Sequence, residues 1–255
     1  MSEEDFEELD LRTLDDKDLV DQMWDDLYDG LKEELAEGTN ILLERGWKAP
    51  DIMDQALIGG MKIVGDDFRD GILFVPEVLL SANAMKGSMS ILRPLLAETG
   101  CPSRGVMVIG TVKGDIHDIG QNLVTMMMEG AGYDVFNIGI NNPAENYIEA
   151  AKEHNADIIG LSALLTTTMP YMKIIIDEMI KLKIRDKYFV MVGGAPLNQT
   201  FADAVGADVY GPDAGTAVEL ANAYMEKKRN AKLSTSRKNP SKGKKKKRQV
   251  KSKSG

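Results

Sequence analysis

The chain is poor in cysteine, in aromatic residues and in long apolar runs, and each shortage excludes a class of protein. Its 255 residues include one cysteine, Cys101, so an internal disulfide and a cysteine-only zinc site are both ruled out. No run approaches the ~20 apolar residues that span a bilayer. The acidic start MSEEDFEELD also lacks the basic and apolar regions of a signal peptide. We therefore expect a cytoplasmic protein without a membrane partner.

Basic residues are scarce in most of the chain and concentrated at its end. Residues 227–255 contain 14 Lys or Arg and no acid, whereas the other 226 residues contain 17 basic and 40 acidic residues. With almost no apolar residues, this tail is expected to be disordered. It could contact phosphates, but an acidic body in a chain with only 6% aromatic residues is not typical of a nucleic-acid reader. We favour a solvated tail, or one that folds back on the acidic body, and expect no nucleic-acid partner.

The first part of the chain has helical periodicity and no convincing strand. After an acidic leader at residues 1–14, apolar residues recur at three- and four-residue spacing up to about residue 100. Two of the helices open at Pro50 and Pro76, and proline fits the first turn of a helix. The pattern predicts a helical domain over residues 15–100, with a four-helix bundle built from residues 15–28, 31–46, 49–68 and 76–96.

The second part, residues 104–226, alternates short apolar runs with amphipathic stretches. Such alternation predicts a parallel sheet covered by helices on both faces. The fold class is therefore α/β, with an N-terminal four-helix cap bundle followed by a flavodoxin-like, Rossmann-like five-stranded parallel sheet. The junction falls near residues 98–104, where Cys101 is interpreted as an incidental thiol. The five predicted strands are residues 105–110, 133–139, 156–162, 187–194 and 206–211.

Three loops rich in Gly, Ser or Thr follow the first, third and fourth predicted strands: KGDIHDIG, LSALLTTT and GGAPLN. They share the carboxyl edge of the sheet, where open α/β sheets bind ligands, so we expect one site. Within the first loop, Asp115 could accept a hydrogen bond from one imidazole nitrogen of His117 and leave the other free for a metal. Alternatively, His117 only caps the helix that begins near Ile119.

Other chemistries have weaker support in these loops. A zinc site is not expected, because His117 has no second histidine or cysteine nearby. Ser162 and Thr168 are candidate nucleophiles, but no nucleophile elbow surrounds either. The phosphate-binding pattern GxxxxGK[ST] is absent.

Taken together, the loops resemble the signature of cobalamin-binding modules. The elements are Asp115-x-His117-x-x-Gly120, then 41 residues, Ser162-x-Leu164, then 28 residues, and Gly193-Gly194. This signature is shared by cobalamin-dependent methionine synthase, B12-dependent mutases and the corrinoid proteins of methyltransferase systems. The stretch GGMKIVGDDFRDGILFVPEVLLSANAMKGSM resembles the helical cap of the methyltransferases, which mutases usually lack. SALLTTTM and VMVGGAPLNQTFADAVGADVYGPDA are most similar to the methylamine-type corrinoid proteins, and the resemblance spans about residues 15–225.

The resemblance implies a role for each matched residue. His117 would be the lower ligand of cobalt, in place of the displaced dimethylbenzimidazole tail of the cofactor. Asp115 would hold the other ring nitrogen, and Thr168 would extend that relay where methionine synthase has Ser. Ser162 would hydrogen-bond the buried nucleotide tail, with Gly120, Gly193 and Gly194 leaving room for it. The implied cofactor-binding set also includes Asp118, Ala163, Leu164 and Thr166, and the implied shield over the methyl face is Phe74, Val75, Leu79 and Met85.

The implied function is methyl transport on cobalamin, which would alternate between methylcobalamin and cob(I)alamin. No substrate-binding barrel accompanies the module, since that fold alone takes about 250 residues. We therefore expect a carrier that docks with a donor and an acceptor methyltransferase, and with a reductive activase, and that is not a complete methyltransferase alone. The donor substrate could be a methylamine, a betaine or a methoxylated compound, and the acceptor tetrahydrofolate, coenzyme M or homocysteine.

Three alternatives stay open at this point. Homocysteine as acceptor would make the chain the cobalamin-binding subunit of a split methionine synthase. A cobalamin-sensing regulator is a second alternative, although the basic tail has no helix-turn-helix pattern. A mutase small subunit is the third, and the cap argues against it.

Overall fold

The structure, a computed structural model, describes residues 10–98 and 103–238, with side chains up to residue 231. Cys101 and most of the acidic leader lie outside the described residues. Within the described part of the chain, no helix is both long and apolar enough to cross a membrane.

The N-terminal domain consists of four helical rods, as predicted. The first begins after Asp15, whose side chain accepts hydrogen bonds from the Lys17 and Asp18 amides and so caps the helix. The third rod contains a π-helical turn. The Trp24 indole N–H donates to the carbonyl of Gln55 in this turn at 3.0 Å. The rods are α1 (Asp16–Tyr28), α2 (Lys32–Glu44), the run of α3 (Ala49–Ile52), the π-helical turn (Met53–Ile58) and α4 (Gly59–Arg69), and α5 (Val75–Glu98).

The C-terminal domain is a five-stranded parallel sheet in the order β2-β1-β3-β4-β5, which confirms the flavodoxin-like prediction. Its strands are β1 (Val106–Thr111), β2 (Asp134–Asn137), β3 (Ile158–Ser162), β4 (Phe189–Gly193) and β5 (Val209–Gly211). Its helices are α6 (Ile119–Gly130), α7 (Ala144–Glu153), α8 (Pro170–Lys181), α9 (Gln199–Val205) and α10 (Ala214–Lys238). Helices α6 and α10 cover one face of the sheet, and α7, α8 and α9 cover the other.

The strand order places the topological switch point between β1 and β3. Register pairing aligns Thr111 with Ser162, and Ser162 with Gly193. The three loops singled out in the sequence therefore leave the sheet at one level, and two of them flank the switch point.

The helical cap packs on α6 and α10. Met127 of α6 and Ala214 of α10 belong to the same apolar core as the cap helices. A Cβ built on Gly215 would lie only 3.0 Å from the Gly65 carbonyl oxygen, so the backbones of α10 and α4 approach closely. Because this contact is mainly apolar, the hydrophobic effect holds the two domains together.

Helix α10 extends further than the sequence indicates. The disordered tail is expected to start at residue 227, whereas the helix continues to Lys238. Lys228 explains part of the extension, because its ammonium lies 2.6 Å from Asp157 Oδ1 and 5.6 Å from the centre of the Tyr224 ring. The expectation of disorder is therefore wrong for residues 227–238, and residues 239–255 lie outside the described part.

Candidate functional site

The loop between β1 and α6 is a tight turn fixed by the loop that follows β2. Gly114 has a φ of +87°, a conformation that favours glycine. Its amide donates to Asn141 Oδ1 at 2.8 Å, and the Asn141 amide donates to the Asp115 carbonyl at 3.0 Å. These two hydrogen bonds fix the position of the backbone from which Asp115 and His117 project.

The Asp115 carboxylate is the centre of the site and is completely buried. Oδ1 accepts from the His117 amide at 3.1 Å and from His117 Nδ1 at 2.7 Å. Oδ2 accepts from the Leu164 and Leu165 amides at 2.8 and 3.2 Å, and from the Thr168 hydroxyl at 2.6 Å. Burial raises the pKa of Asp115, but these hydrogen bonds outweigh it, so the pKa lies well below its usual value. Asp115 is therefore an anion that ties two loops together.

The His117 ring extends outward from the Asp115 carboxylate. Its side chain is 45% exposed, while Nδ1 is held by Asp115. Since an ionised carboxylate can only accept, Nδ1 carries the proton and Nε2 of the neutral ring presents its lone pair. Among the described residues, Nε2 has no hydrogen-bond partner. The ring is thus prepared to donate an electron pair to something outside the protein.

The loop after β3 contributes mainly backbone donors. Thr168 is buried and joins Asp115 and His117 in one hydrogen-bonded unit. Leu164 reaches Asp115 through its amide, whereas its side chain is 42% exposed. Thr166 lies exposed in the same turn. Ser162 ends β3, half-buried beside buried Ala163.

The structure around each of the three predicted site glycines is different. Gly194 has a φ of +135°, and a Cβ there would lie 1.9 Å from the Ala163 carbonyl oxygen, so the protein itself demands glycine. A Cβ on Gly193 would lie 3.3 Å from the Gly211 carbonyl oxygen. A Cβ on Gly120 would meet no described atom within 4 Å. Of the three, only Gly120 borders open space that a ligand could fill.

Around the histidine, the surface is apolar. The exposed fractions of Ile116 and Ile119 are 70% and 74%, and Leu164 and Leu165 are also exposed. Asp118 is exposed as well and makes no side-chain hydrogen bond at the start of α6. Clustered exposed apolar side chains mark a binding surface, here one with a nitrogen lone pair at its centre.

The cap residues singled out in the sequence do not share one surface. Phe74 is 64% exposed, in the turn between α4 and α5. Val75 and Leu79 are partly buried against the cap core. Met85 is 1% exposed and belongs to that core, so in this arrangement it lines no ligand surface. Ile72, which the sequence reasoning missed, is 61% exposed beside Phe74.

Sequence reasoning also missed a buried polar network beneath the loop. The hydroxyl of Thr111 lies 2.8 Å from the His117 carbonyl oxygen and 2.6 Å from Gln121 Oε1. Gln121 Nε2 donates to Asn137 Oδ1, and the Asn142 side-chain amide donates to the Gly139 carbonyl at 2.8 Å. The available signal was the pair Asn141-Asn142 after a predicted strand, because Asn favours turns with positive φ.

Family comparisons match both domains. A B12 binding domain family matches residues 105–221, and a second B12 binding domain family matches residues 19–93. The two matches coincide with the sheet domain and the helical cap, and together they define a cobalamin-binding protein.

Individual relatives agree with this class. A corrinoid protein of Desulfitobacterium hafniense is 41% identical over 212 residues, which is 82% of this chain and 98% of the relative. The dimethylamine corrinoid protein of Methanosarcina barkeri is 46% identical over 176 residues, 69% of this chain and 83% of the relative. The chain therefore belongs to the family of cobalamin-binding corrinoid proteins, which confirms the resemblance seen in its motifs.

Solved structures share the two-domain arrangement. The methanol:cobalamin methyltransferase complex MtaBC from Methanosarcina barkeri contains a chain with a TM-score of 0.72 and 30% identity, covering 82% of this chain and 80% of that one. A cobalamin-binding protein from Desulfitobacterium hafniense has a TM-score of 0.69 and 27% identity, covering 80% of this chain and 98% of that one.

The residues at the switch point fit cobalamin. Among the described residues, no group of three or more His, Cys, Asp or Glu side chains could hold a metal ion. His117 is suited to a metal that arrives with its other ligands already in place, as cobalt does in a corrin ring. The apolar rim suits the face of the ring, and the open space at Gly120 suits a group that extends beneath it.

Proposed function

We propose that this protein is a methyl carrier in which His117 would bind the cobalt of cobalamin through Nε2. The observation that carries the proposal is the pairing of His117 Nδ1 with buried Asp115 at 2.7 Å, with Nε2 directed outward. Cobalamin, when bound, supplies a cobalt centre that accepts and releases a methyl group.

The chain's own residues prepare the ligand. Asp115 accepts the Nδ1 proton, fixes the tautomer and raises the basicity of Nε2, as carboxylate partners do for metal-binding histidines. Thr168 donates to the other carboxylate oxygen and, with the Leu164 and Leu165 amides, keeps that carboxylate ionised while buried. The Asp115–His117–Thr168 unit would therefore hold the Nε2 lone pair ready for the cobalt.

The partners of this carrier would supply the substrate specificity. Relatives named for dimethylamine and a structural match within a methanol:cobalamin methyltransferase complex support docking to a donor methyltransferase. A methylated amine is the donor substrate that we favour, because the relative named for dimethylamine is 46% identical and the chain from the methanol complex 30% identical; a betaine or a methoxylated compound is the alternative. We propose a second methyltransferase as acceptor, using tetrahydrofolate, coenzyme M or homocysteine, and a reductive activase that restores the carrier after oxidation.

The first test is an absorption spectrum of protein loaded with hydroxocobalamin or methylcobalamin and freed of excess cofactor. Wild type should retain cobalamin with the features of histidine ligation. His117→Ala should lose those features and release the cofactor faster.

The matched control is His154→Ala, which removes the other histidine of the chain. His154 follows α7, and its ring stacks on Phe136 with centroids 3.5 Å apart, on a different loop from Asp115. Its spectrum should equal that of wild type. No retention by wild type would overturn cobalamin binding, and an unchanged spectrum in His117→Ala would overturn the assignment of the ligand.

A further inference from the structure

The His117 backbone is held from two sides. Its amide donates to Asp115 Oδ1, and its carbonyl accepts from the hydroxyl of Thr111, the last residue of β1. A side chain that is 45% exposed is poorly restrained by packing, so its direction depends on the hydrogen bond of Nδ1 to Asp115 and on the backbone from which it projects.

Thr111 is built into the sheet rather than into the loop. Its exposure is 0%, and its backbone pairs with Ser162 of β3 beside the switch point. Its one hydroxyl proton serves two acceptors, the His117 carbonyl and Gln121 Oε1. The hydroxyl therefore joins the end of the loop to the first turns of α6.

The chain of contacts continues away from the site. Gln121 is 1% exposed and donates to Asn137 Oδ1 at the end of β2. Asn137 in turn donates to Asn122 Oδ1 at 3.0 Å and accepts from the Gly139 amide at 2.8 Å. Two strands and one helix thus converge on the hydroxyl that holds His117.

We propose that Thr111 is a positioning residue for the ligand histidine: its hydroxyl fixes the His117 carbonyl and so directs Nε2 toward the metal. This inference rests on the proposed function. Without the hydroxyl, the loop would sample orientations in which Nε2 is misdirected, and ligation would weaken although Asp115 still binds Nδ1.

The test compares Thr111→Val with Thr111→Ser. Valine keeps the branched shape and removes the hydroxyl, whereas serine keeps the hydroxyl. The readout is the electron paramagnetic resonance spectrum of the reduced Co(II) cofactor, which distinguishes nitrogen-ligated from unligated cobalt. The ratio of ligated to unligated forms should fall about fivefold in Thr111→Val, since a net hydrogen bond contributes about 1 kcal/mol, and should recover in Thr111→Ser.

Thr39→Val is the matched control. Thr39 is also 0% exposed, and its hydroxyl donates to the Leu35 carbonyl at 2.9 Å in α2, so the variant loses a buried hydroxyl in the cap. Its ratio should stay at the wild-type value. An unchanged ratio in Thr111→Val, or an equal loss in Thr39→Val, would overturn the positioning role.

A second readout separates this inference from the proposed function. In protein without cofactor, the amides of residues 113–118 should exchange hydrogen faster in Thr111→Val than in wild type or Thr39→Val. Failure of wild type to retain cobalamin would count against the proposed function, while the exchange result would still decide whether Thr111 orders the loop. If Thr111→Val does not fold, Thr111→Ala removes the same hydroxyl without the branched side chain.

Discussion

The sheet side of the candidate site and the exposed end of the cap are held by different forces. On the sheet side, a buried anion and backbone amides hold the β1–α6 loop. On the cap side, the turn between α4 and α5 presents Ile72 and Phe74 to solvent, with exposed fractions of 61% and 64%. The comparison indicates that hydrogen bonds preorganise the sheet side, whereas the two exposed side chains at the end of the cap are not restrained by packing.

The cap is attached to the sheet domain by an apolar contact and by ion pairs near the surface. Besides its apolar contact, it reaches the sheet domain through ion pairs such as Asp54–Arg104 at 2.9 Å and Lys86–Glu129 at 3.7 Å. Each pair has at least one partner whose side chain is more than half exposed. Pairs of this kind contribute about 0–1 kcal/mol and weaken with salt. These pairs therefore add little to the apolar contact that holds the cap, whereas the β1–α6 loop is held by the buried Asp115 anion.

The largest expected effect separates two glycines of the sheet side. Gly194→Ala should destabilise the protein by about 3 kcal/mol or more, because alanine is strained at positive φ and its Cβ would clash with the Ala163 carbonyl. Gly120→Ala should leave stability within about 1 kcal/mol, because the added methyl meets open space in a helix. Urea denaturation of both variants without cofactor measures this difference.

Cobalamin retention then sharpens the same comparison. If the nucleotide tail passes Gly120, the stable Gly120→Ala variant should retain less cofactor than wild type. Full retention by Gly120→Ala would show that the open space there is not used. Wild-type stability of Gly194→Ala would contradict the backbone reason for that glycine.

The next effect comes from the charge of Asp115. Asp115→Asn replaces an acceptor of five hydrogen bonds by an amide, and we expect a loss of about 2–4 kcal/mol in unfolding free energy. The folded pKa is depressed, so the stabilisation is complete above the unfolded pKa of 3.8 and declines as pH falls below it. The difference between wild type and Asp115→Asn should therefore be equal at pH 7 and pH 5 and smaller at pH 3. A difference that grows on acidification would contradict an ionised Asp115.

Much of this organisation can be predicted from the sequence. Alternating apolar runs predict all five strands, and the parallel rule brings their carboxyl ends together. Because each strand and the loop after it can be recognised from a short stretch of sequence, Asp115, His117 and Thr168 could be assigned to the carboxyl edge of the sheet without coordinates. Ser162 and the paired glycines follow from the same rule.

The features that the sequence does not predict depend on tertiary contacts. From the sequence, Thr111 is an ordinary strand residue and Gln121 an ordinary helix residue. Their hydrogen bond forms only because the turn between them folds back. Met85 belongs to the shield that the resemblance implies, but packing of α5 on its neighbours buries it. Part of the extension of α10 comes from the contact of Lys228 with Asp157, 71 residues away, which no local pattern indicates.

The smallest effect on stability concerns the cap side. Phe74→Ser should change unfolding free energy by less than about 0.5 kcal/mol, because the ring is mostly exposed. If Phe74 shields bound cobalamin, the variant should exchange its methylcobalamin with labelled free cofactor a few times faster than wild type. Ile174→Ser on α8 is the control, since Ile174 is 51% exposed on the sheet face opposite the cap. Equal exchange rates in all three proteins would mean that the exposed end of the cap does not cover the cofactor, and that the sheet side alone retains it.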